Sequence, residues 1–278
     1  MVDLMENGGC DPIPRAVSRL AGALLAPNPG PMSLEGTNSY VLRSPGASGC
    51  VVVDPGPEDS GHLGALAAQS VELVLITHRH ADHTAGIDAL HRLTGAPVRA
   101  LLSEHCRAAE PLTDGEEIAA AGIRIRVLAT PGHTSDSLSF LLPGDGPLEG
   151  GPATGSMLTG DSILGRGTTM LDFPDGTLAD YLATLDLYDG YPGALVLPAH
   201  GPVLRRLDAV VSAYRSHRLE RLEQISAALA SLAARGTGEP TIGRVTDLVY
   251  ADAPANVRRA AEMSVAAQLH YLRNVAAS

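Results

Sequence analysis

The stretch Glu72-Leu73-Val74-Leu75-Ile76-Thr77-His78-Arg79-His80-Ala81-Asp82-His83 decides how this chain is read. Its first five residues have the apolar character of a buried strand. Directly behind them stand three imidazoles and a carboxylate. Side chains two apart in an extended segment point the same way, so His78 and His80 share a direction. A helix is expected from Thr84 to Thr94, ended by Gly95 and Pro97. The turn into it swings Asp82 and His83 toward a second point. Neutral imidazole and carboxylate are ligands that suit zinc and also iron. A solvated histidine-rich loop would not be expected behind so apolar a strand.

Three more segments downstream have the same form, a ligand-type residue just past an expected strand. Strand 123–128 runs into Thr130-Pro131-Gly132-His133-Thr134. Strand 157–159 runs into Gly160-Asp161-Ser162, and strand 194–198 into Ala199-His200-Gly201. Singly, each reads as a turn or cap residue. Together they form a pattern, because parallel strands joined by helices bring such ends to one edge of a sheet, where α/β sites form.

The remaining elements extend that frame. Residues 40–43 and 50–54 read as a hairpin joined by the turn-rich Ser44–Gly49, and Asp54-Pro55-Gly56-Pro57 stops its second strand. Helices are expected at 59–69 and 178–188, and strands near 98–102 and 137–142. The sum is an α/β chain with helices layered on sheet. If 137–142 and 157–159 form a hairpin, the Gly- and Pro-rich loop Pro143–Ser156 lies at the far end from the histidines. If strand 50–54 runs parallel to 72–76, its partner 40–43 starts at the histidine edge. Leu34–Ser39 then borders the cleft, with Thr37 and Asn38 as candidate substrate contacts. Thr168 and Thr169, downstream of Asp161, are two more. The other histidines (His62, His91, His105, His217, His270) fall in expected helices or loops and read as structural or exposed.

Composition changes after Pro202. Helices are expected at 208–234, 241–250 and 254–275, which places a catalytic domain at 1–204 and a helical one at 205–278. The net charge is −11, divided as −14 over 1–204 and +3 over 205–278, and every basic residue is Arg. Arg205, Arg206, Arg215, Arg218 and Arg221 form the main basic run, a candidate contact for phosphate of RNA or of a phosphopantetheine carrier. With 2 Phe and no Trp, a strong base-stacking platform is not evident. Cys10, Cys50 and Cys106 make no disulfide framework, which fits a reducing compartment. No apolar run nears the roughly 20 residues of a membrane span. The acidic start lacks a basic leader region, so the expectation is a cytoplasmic, non-membrane protein.

His78-x-His80-x-Asp82-His83 followed by His133, Asp161 and His200 resembles the metallo-β-lactamase-fold hydrolase superfamily. Asn28-Pro29-Gly30-Pro31-Met32, Glu35-Gly36-Thr37-Asn38-Ser39-Tyr40 and Asp54-Pro55-Gly56-Pro57 narrow the resemblance to its lactamase-beta-2-like branch. The resemblance implies a four-layer αβ/βα sandwich with a small helical, winged-helix-like C-terminal domain. It implies that His78, His80 and His133 hold one metal, that Asp82, His83 and His200 hold a second, and that Asp161 bridges them. Two Zn2+ are the expected cofactors, with iron or manganese as alternatives. The chemistry is consistent: paired cations about 3.5–4 Å apart activate water without a Ser or Cys nucleophile. Asp82 would also orient the resulting hydroxide. The leading activity implied is an endoribonuclease on single-stranded RNA, and the alternative is an acyl thioesterase or esterase on a small or carrier-bound substrate. A mononuclear iron persulfide dioxygenase is the competing class, in which His83 and His200 would not be ligands. A β-lactamase proper is disfavoured by the absence of a secretion signal. The 38 residues between Asp161 and His200 leave no room for the extra domain of the larger nucleases.

Overall fold

The expected hairpin is present, with Tyr40 paired antiparallel to Val53 and Leu42 to Val51. The structure is a computed structural model and describes residues 13–152, 154–235, 240–251 and 257–277. Strands β1 (Arg15–Ala16), β2 (Ala21–Leu25), β3 (Asn38–Leu42), β4 (Cys50–Val53), β5 (Val71–Leu75) and β6 (Val98–Arg99) form the first sheet, in that order. Strands β7 (Glu117–Ala120), β8 (Ile123–Ala129), β9 (Leu138–Leu142), β10 (Ser156–Gly160) and β11 (Leu195–Pro198) form the second, in the order β11-β10-β9-β8-β7. The β4–β5–β6 and β10–β11 pairings are parallel. The helices are α1 (Ser60–Ala67), α2 (Ala81–Thr84), α3 (Ile87–Thr94), α4 (Leu178–Tyr188), α5 (Leu207–Ala234), α6 (Ile242–Val249) and α7 (Arg258–Ala277).

Side-chain pattern explains the layering. Every residue of β4 is buried, as expected of a parallel strand covered on both faces. Strand β8 instead alternates, with Ile123, Ile125 and Val127 inward and Arg124 and Arg126 exposed. Tyr40, Leu42, Val51, Val53 and Leu75 of the first sheet meet Ile125, Val127, Phe140, Leu142 and Leu158 of the second in the central core. Behind the first sheet, Val52 and Val74 pack under Leu63 and Leu66 of α1 and Ile87 and Leu90 of α3. Behind the second, Met157 and Val196 pack under Tyr181, Leu185 and Tyr188 of α4 and Val211 and Tyr214 of α5. Helix, sheet, sheet, helix is the αβ/βα sandwich expected. Ile225, Ala228 and Leu232 of α5 continue into a separate cluster with Val245 of α6 and Val265 and Leu269 of α7. No strand is present among the described residues beyond Pro198.

Three local expectations need correction. The helix expected at 84–94 begins only at Ile87, as α3, and is preceded by the short α2 (Ala81–Thr84), the two parted at Ala85–Gly86. A Cβ on Gly86 would lie 2.7 Å from Leu63 Cδ2, and its N–H donates to Gly56 O at 2.9 Å, so the break is a close approach of two chain segments. Strands β1, β2 and β7 were not expected. Ala21-Gly22-Ala23-Leu24-Leu25 carries neither polar alternation nor β-branched residues, and the sheet rather than local propensity makes it a strand. The strand near 98–102 is only two residues long before the chain turns.

The β9–β10 hairpin pairs Leu142 with Ser156, so the loop between them lies opposite the ends that lead to His133 and Asp161, as the topology argument required. The base of that loop belongs to the frame. Buried Asp145 accepts from Ser18 Oγ at 2.5 Å and from Leu20 N at 3.0 Å. No helix among the described residues is long and apolar enough to cross a membrane.

Candidate metal centre

Both sheets deliver residues to one edge. Asp54 stands just past β4, Thr77–His80 just past β5, and His133 in the turn from β8 to β9. Asp161 follows β10 and His200 follows β11. Gly160 makes the approach of the two sheets feasible. Its φ is +50°, and a Cβ there would lie 2.8 Å from Thr77 Cβ. A side chain at this position would push Asp161 away from the His78 strand.

The seven ligand-type residues meet in two groups. His78, His80, His133 and Asp161 form one, and Asp82, His83 and His200 the other, with the donor atoms of each group within 4.8 Å of one another. In the first, His80 Nδ1 lies 3.1 Å from both His78 Nε2 and His133 Nε2. In the second, His200 Nε2 lies 3.2 Å and His83 Nε2 3.7 Å from Asp82 Oδ2. Asp161 faces both groups. Its Oδ2 is 3.6 Å from His133 Nε2, while its Oδ1 is 3.2 Å from His200 Nε2 and 3.7 Å from His83 Nε2.

The opposite ring atoms are held by neighbours, which fixes each imidazole's orientation. His83 Nδ1 lies 2.9 Å from Asp54 Oδ2, and His78 Nδ1 lies 3.1 Å from Thr77 Oγ1. His133 Nδ1 lies 2.6 Å from Met170 O, and His200 Nδ1 lies 3.2 Å from Gly36 O. Asp54 also accepts from Thr77 N at 2.8 Å and Thr77 Oγ1 at 2.7 Å.

The donor set fits divalent cations. His83 Nε2, His200 Nε2 and Asp161 Oδ1 are buried without a hydrogen-bond partner, a cost that a cation between them removes. Charge points the same way. Burial works against ionisation of Asp161, yet His83 and His200 hold its carboxyl well below the usual range. Burial likewise opposes the charge on His200, but the neighbouring carboxylates of Asp161 and Asp82 raise it to about 10. His78 is pushed well below the ordinary imidazole value by burial and by His83 and His133. His78 and His133 of the first group are thus held neutral, and the second group concentrates positive charge between two carboxylates where a cation would sit.

The four candidate substrate contacts fare differently. Thr37 is fully buried beneath the His200 loop, and its hydroxyl accepts from Asn28 Nδ2 at 2.9 Å. The amide of Asn38 donates to Pro198 O at 3.1 Å and Gly201 O at 2.9 Å. Both stand beside the His200 turn, but the Asn38 amide holds the His200 arm in place and the polar groups of Thr37 are tied to Asn28 and Ala26. Thr169 is buried and donates to Asp161 O at 2.5 Å. Thr168 alone is exposed, its hydroxyl 3.4 Å from His217 Nε2. Sequence reasoning missed Asp54, although it stands just past a strand as the other site residues do. It also missed Asp172, whose Oδ2 lies 3.3 Å from His80 Nε2, and no spacing in the chain marks that residue.

The profile of the Metallo-beta-lactamase superfamily matches residues 32–200, which include all seven ligand-type residues. A beta-lactamase-like protein 2 homolog of Caenorhabditis elegans is 32% identical over 88% of this chain and 80% of its own. An atrochrysone carboxyl ACP thioesterase of Aspergillus chevalieri is 30% identical over 89% of this chain and 77% of its own. A metallo-beta-lactamase family protein from Thermus thermophilus superposes with a TM-score of 0.71 at 24% identity, covering 92% of this chain and 94% of its own. With a family model matched over residues 32–200 and relatives at 30% identity or more over most of the chain, the chain belongs to the metallo-beta-lactamase superfamily of hydrolases.

Proposed function

We propose that this protein is a dinuclear zinc hydrolase that cleaves an acyl thioester on a small or carrier-borne substrate. The observation that carries the dinuclear reading is Asp161, whose two carboxylate oxygens face different imidazole groups. The second group, with its unpartnered His83 and His200 nitrogens, weighs against a mononuclear iron dioxygenase, which would leave those residues without a ligand role.

The choice of acyl over RNA substrate rests on the basic run. Arg215 pairs with Asp186 and Asp189, and Arg205 with Glu149. Arg206 pairs with Asp208. Arg218 is buried, stacks over Tyr181 and donates to Thr169 O. Arg221 stacks over Tyr250. These cations are occupied within the fold, so they offer little to a phosphate backbone. The ACP thioesterase name of one relative supports the same choice.

Zinc bound by the two groups would supply a water-derived nucleophile near neutral pH and polarise the thioester carbonyl. The chain's own part is orientation and proton handling. Asp54 and Thr77 fix His83 and His78 from behind. Asp82, one-third exposed and 3.2 Å from His200, is the carboxylate at the cleft that can orient attacking water and accept its proton. Water oxygen bonds to the acyl carbon as its proton passes to Asp82, the C–S bond breaks, and the sulfur takes that proton from Asp82 and leaves as a thiol, with the acyl group released as a carboxylic acid.

Elemental analysis of protein purified without added metal, together with assays on an acyl thioester and a labelled single-stranded RNA, tests the reading. Two zinc per chain with thioester cleavage is the expected result. RNA cleavage without thioester cleavage would overturn the acyl assignment, and one iron without zinc the hydrolytic one.

A further inference from the structure

His80 stands apart from the other ligand-type imidazoles. Its side chain is 31% exposed, whereas His78, His83, His133 and His200 are buried. It also presents Nδ1 to its group, while the others present Nε2. A half-solvated ring on a loop keeps one orientation only if its far nitrogen is held.

That hold comes from a distant part of the chain. His80 Nε2 lies 3.3 Å from Asp172 Oδ2. The Arg79 guanidinium donates to the same oxygen, and to Asp175 Oδ2 at 2.8 Å. Asp175 accepts from Ser135 N and Ser135 Oγ, each at 2.8 Å. Asp172 N donates to His133 O at 2.8 Å, and Met170 O accepts from His133 Nδ1. A Cβ on Gly176 would lie 2.3 Å from both Gly132 O and His133 O, so the segment 170–176 lies flat on the His133 turn. One strap therefore contacts two ligand-type histidines of the first group. It makes no such contact with the second, whose rings are held by Asp54 and Gly36.

We propose that Asp172, clamped by Arg79, is a positioning residue that fixes the His80 ring and thereby sets the zinc affinity of the first group independently of the second. The proposal rests on the dinuclear reading above. A hydrogen-bond acceptor behind a ligating imidazole fixes its orientation and raises its basicity, and losing one costs roughly 10–100-fold in metal affinity.

The test is Zn2+ titration against a chromophoric chelator for the wild type, Asp172→Ala, Asp172→Asn, His80→Ala and the His80→Ala Asp172→Ala double variant. The expected result is two bound zinc in the wild type, with one equivalent weakened roughly 10–100-fold in Asp172→Ala and the other unchanged. Asp172→Asn keeps an acceptor oxygen and side-chain volume, so it should recover part of the loss, and it carries the test if alanine unsettles the strap. In the His80→Ala background, Asp172→Ala should change nothing further. Two unchanged affinities in Asp172→Ala, or two that fall together, overturn the proposal and leave the dinuclear reading standing. A further loss in the His80→Ala background also overturns it, because the effect would not pass through His80. A wild type that binds no second zinc overturns both.

Discussion

Asp54 Oδ2 lies 2.9 Å from His83 Nδ1, and both residues are buried. Asp54 sits in the left-handed region at φ +54°, a conformation Asp tolerates better than most residues. Through Thr77, which bonds both Asp54 and His78 Nδ1, this carboxylate supports a histidine of each metal group. Asp54→Ala should therefore lower zinc affinity at both groups. Removing one partner of a buried pair should also destabilise the apoprotein by about 3–5 kcal/mol, read by chemical denaturation.

Asp161→Asn should abolish turnover and leave the fold intact. The side chain joins the two groups but takes no part in the hydrophobic layers. Activity at roughly a tenth of wild type or more, with full metal content, would falsify the bridging role.

The two parts of the β9–β10 loop should respond differently. Deleting Leu148–Gly151 at its tip should leave kcat/KM within about twofold, because surface loops tolerate length changes and this one faces away from the ligands. Asp145→Ala should cost about 1–3 kcal/mol of stability by stranding its partners Ser18 and Leu20. A deletion that silences the enzyme would reverse the assignment of which edge is catalytic.

Arg218 should separate from its neighbours on α5. Arg215→Gln and Arg221→Gln remove largely exposed contacts and should shift stability by no more than about 1 kcal/mol. Arg218→Gln removes a buried guanidinium that bonds Thr169 O, and Thr169 in turn bonds Asp161 O. It should lower both melting temperature and metal affinity. Equal effects of the three substitutions in the same melts would contradict this.

His62 supplies a pH signature. Burial pushes its imidazole down to about 4, against the pull of Asp59, and its Nε2 pairs with Ser39 Oγ at 2.8 Å. The unfolded value is about 6.5, so the native state favours the neutral ring. The contribution is complete above pH 6.5 and is lost as pH falls toward 4. In denaturant titrations from pH 7.5 to 4.5, His62→Gln should be less acid-sensitive than the wild type. Parallel pH profiles for the two proteins would refute the assignment.

The seven ligand-type residues were legible because most follow strands closely and Asp82 and His83 belong to the motif that turns from β5 into α2, so short motifs carry both chemistry and place. Asp54 has the same form, but Asp-Pro-Gly-Pro also reads as a strand stop, and nothing local separates the two meanings. Topology put Thr37 and Asn38 at the His200 edge, yet Asn38 bonds carbonyls of Pro198 and Gly201 that lie 160 and 163 residues away, and the Thr37 hydroxyl bonds Asn28. The Arg run read as a basic face because its partners, Asp186, Tyr181 and Tyr250, come from other helices or beyond them. Strands β1 and β2 were hidden for another reason. They are short and small-residued, and the rest of the sheet makes them strands.

Helix α5 is 28 residues long, about 42 Å of unbroken rod. Its first turns belong to the layer behind the second sheet, where Tyr214 Oη accepts from Leu164 N at 2.9 Å, just past Asp161. Its last turns carry the α6–α7 cluster. A rod shared in this way acts as a splint between the two regions. Severing the chain at 204 would strip the catalytic layer of its outer wall, and grafting the last 74 residues elsewhere would carry away Leu207, Val211 and Tyr214 with their apolar faces exposed. For truncation, fusion or transplantation, the indivisible piece runs through the end of α5.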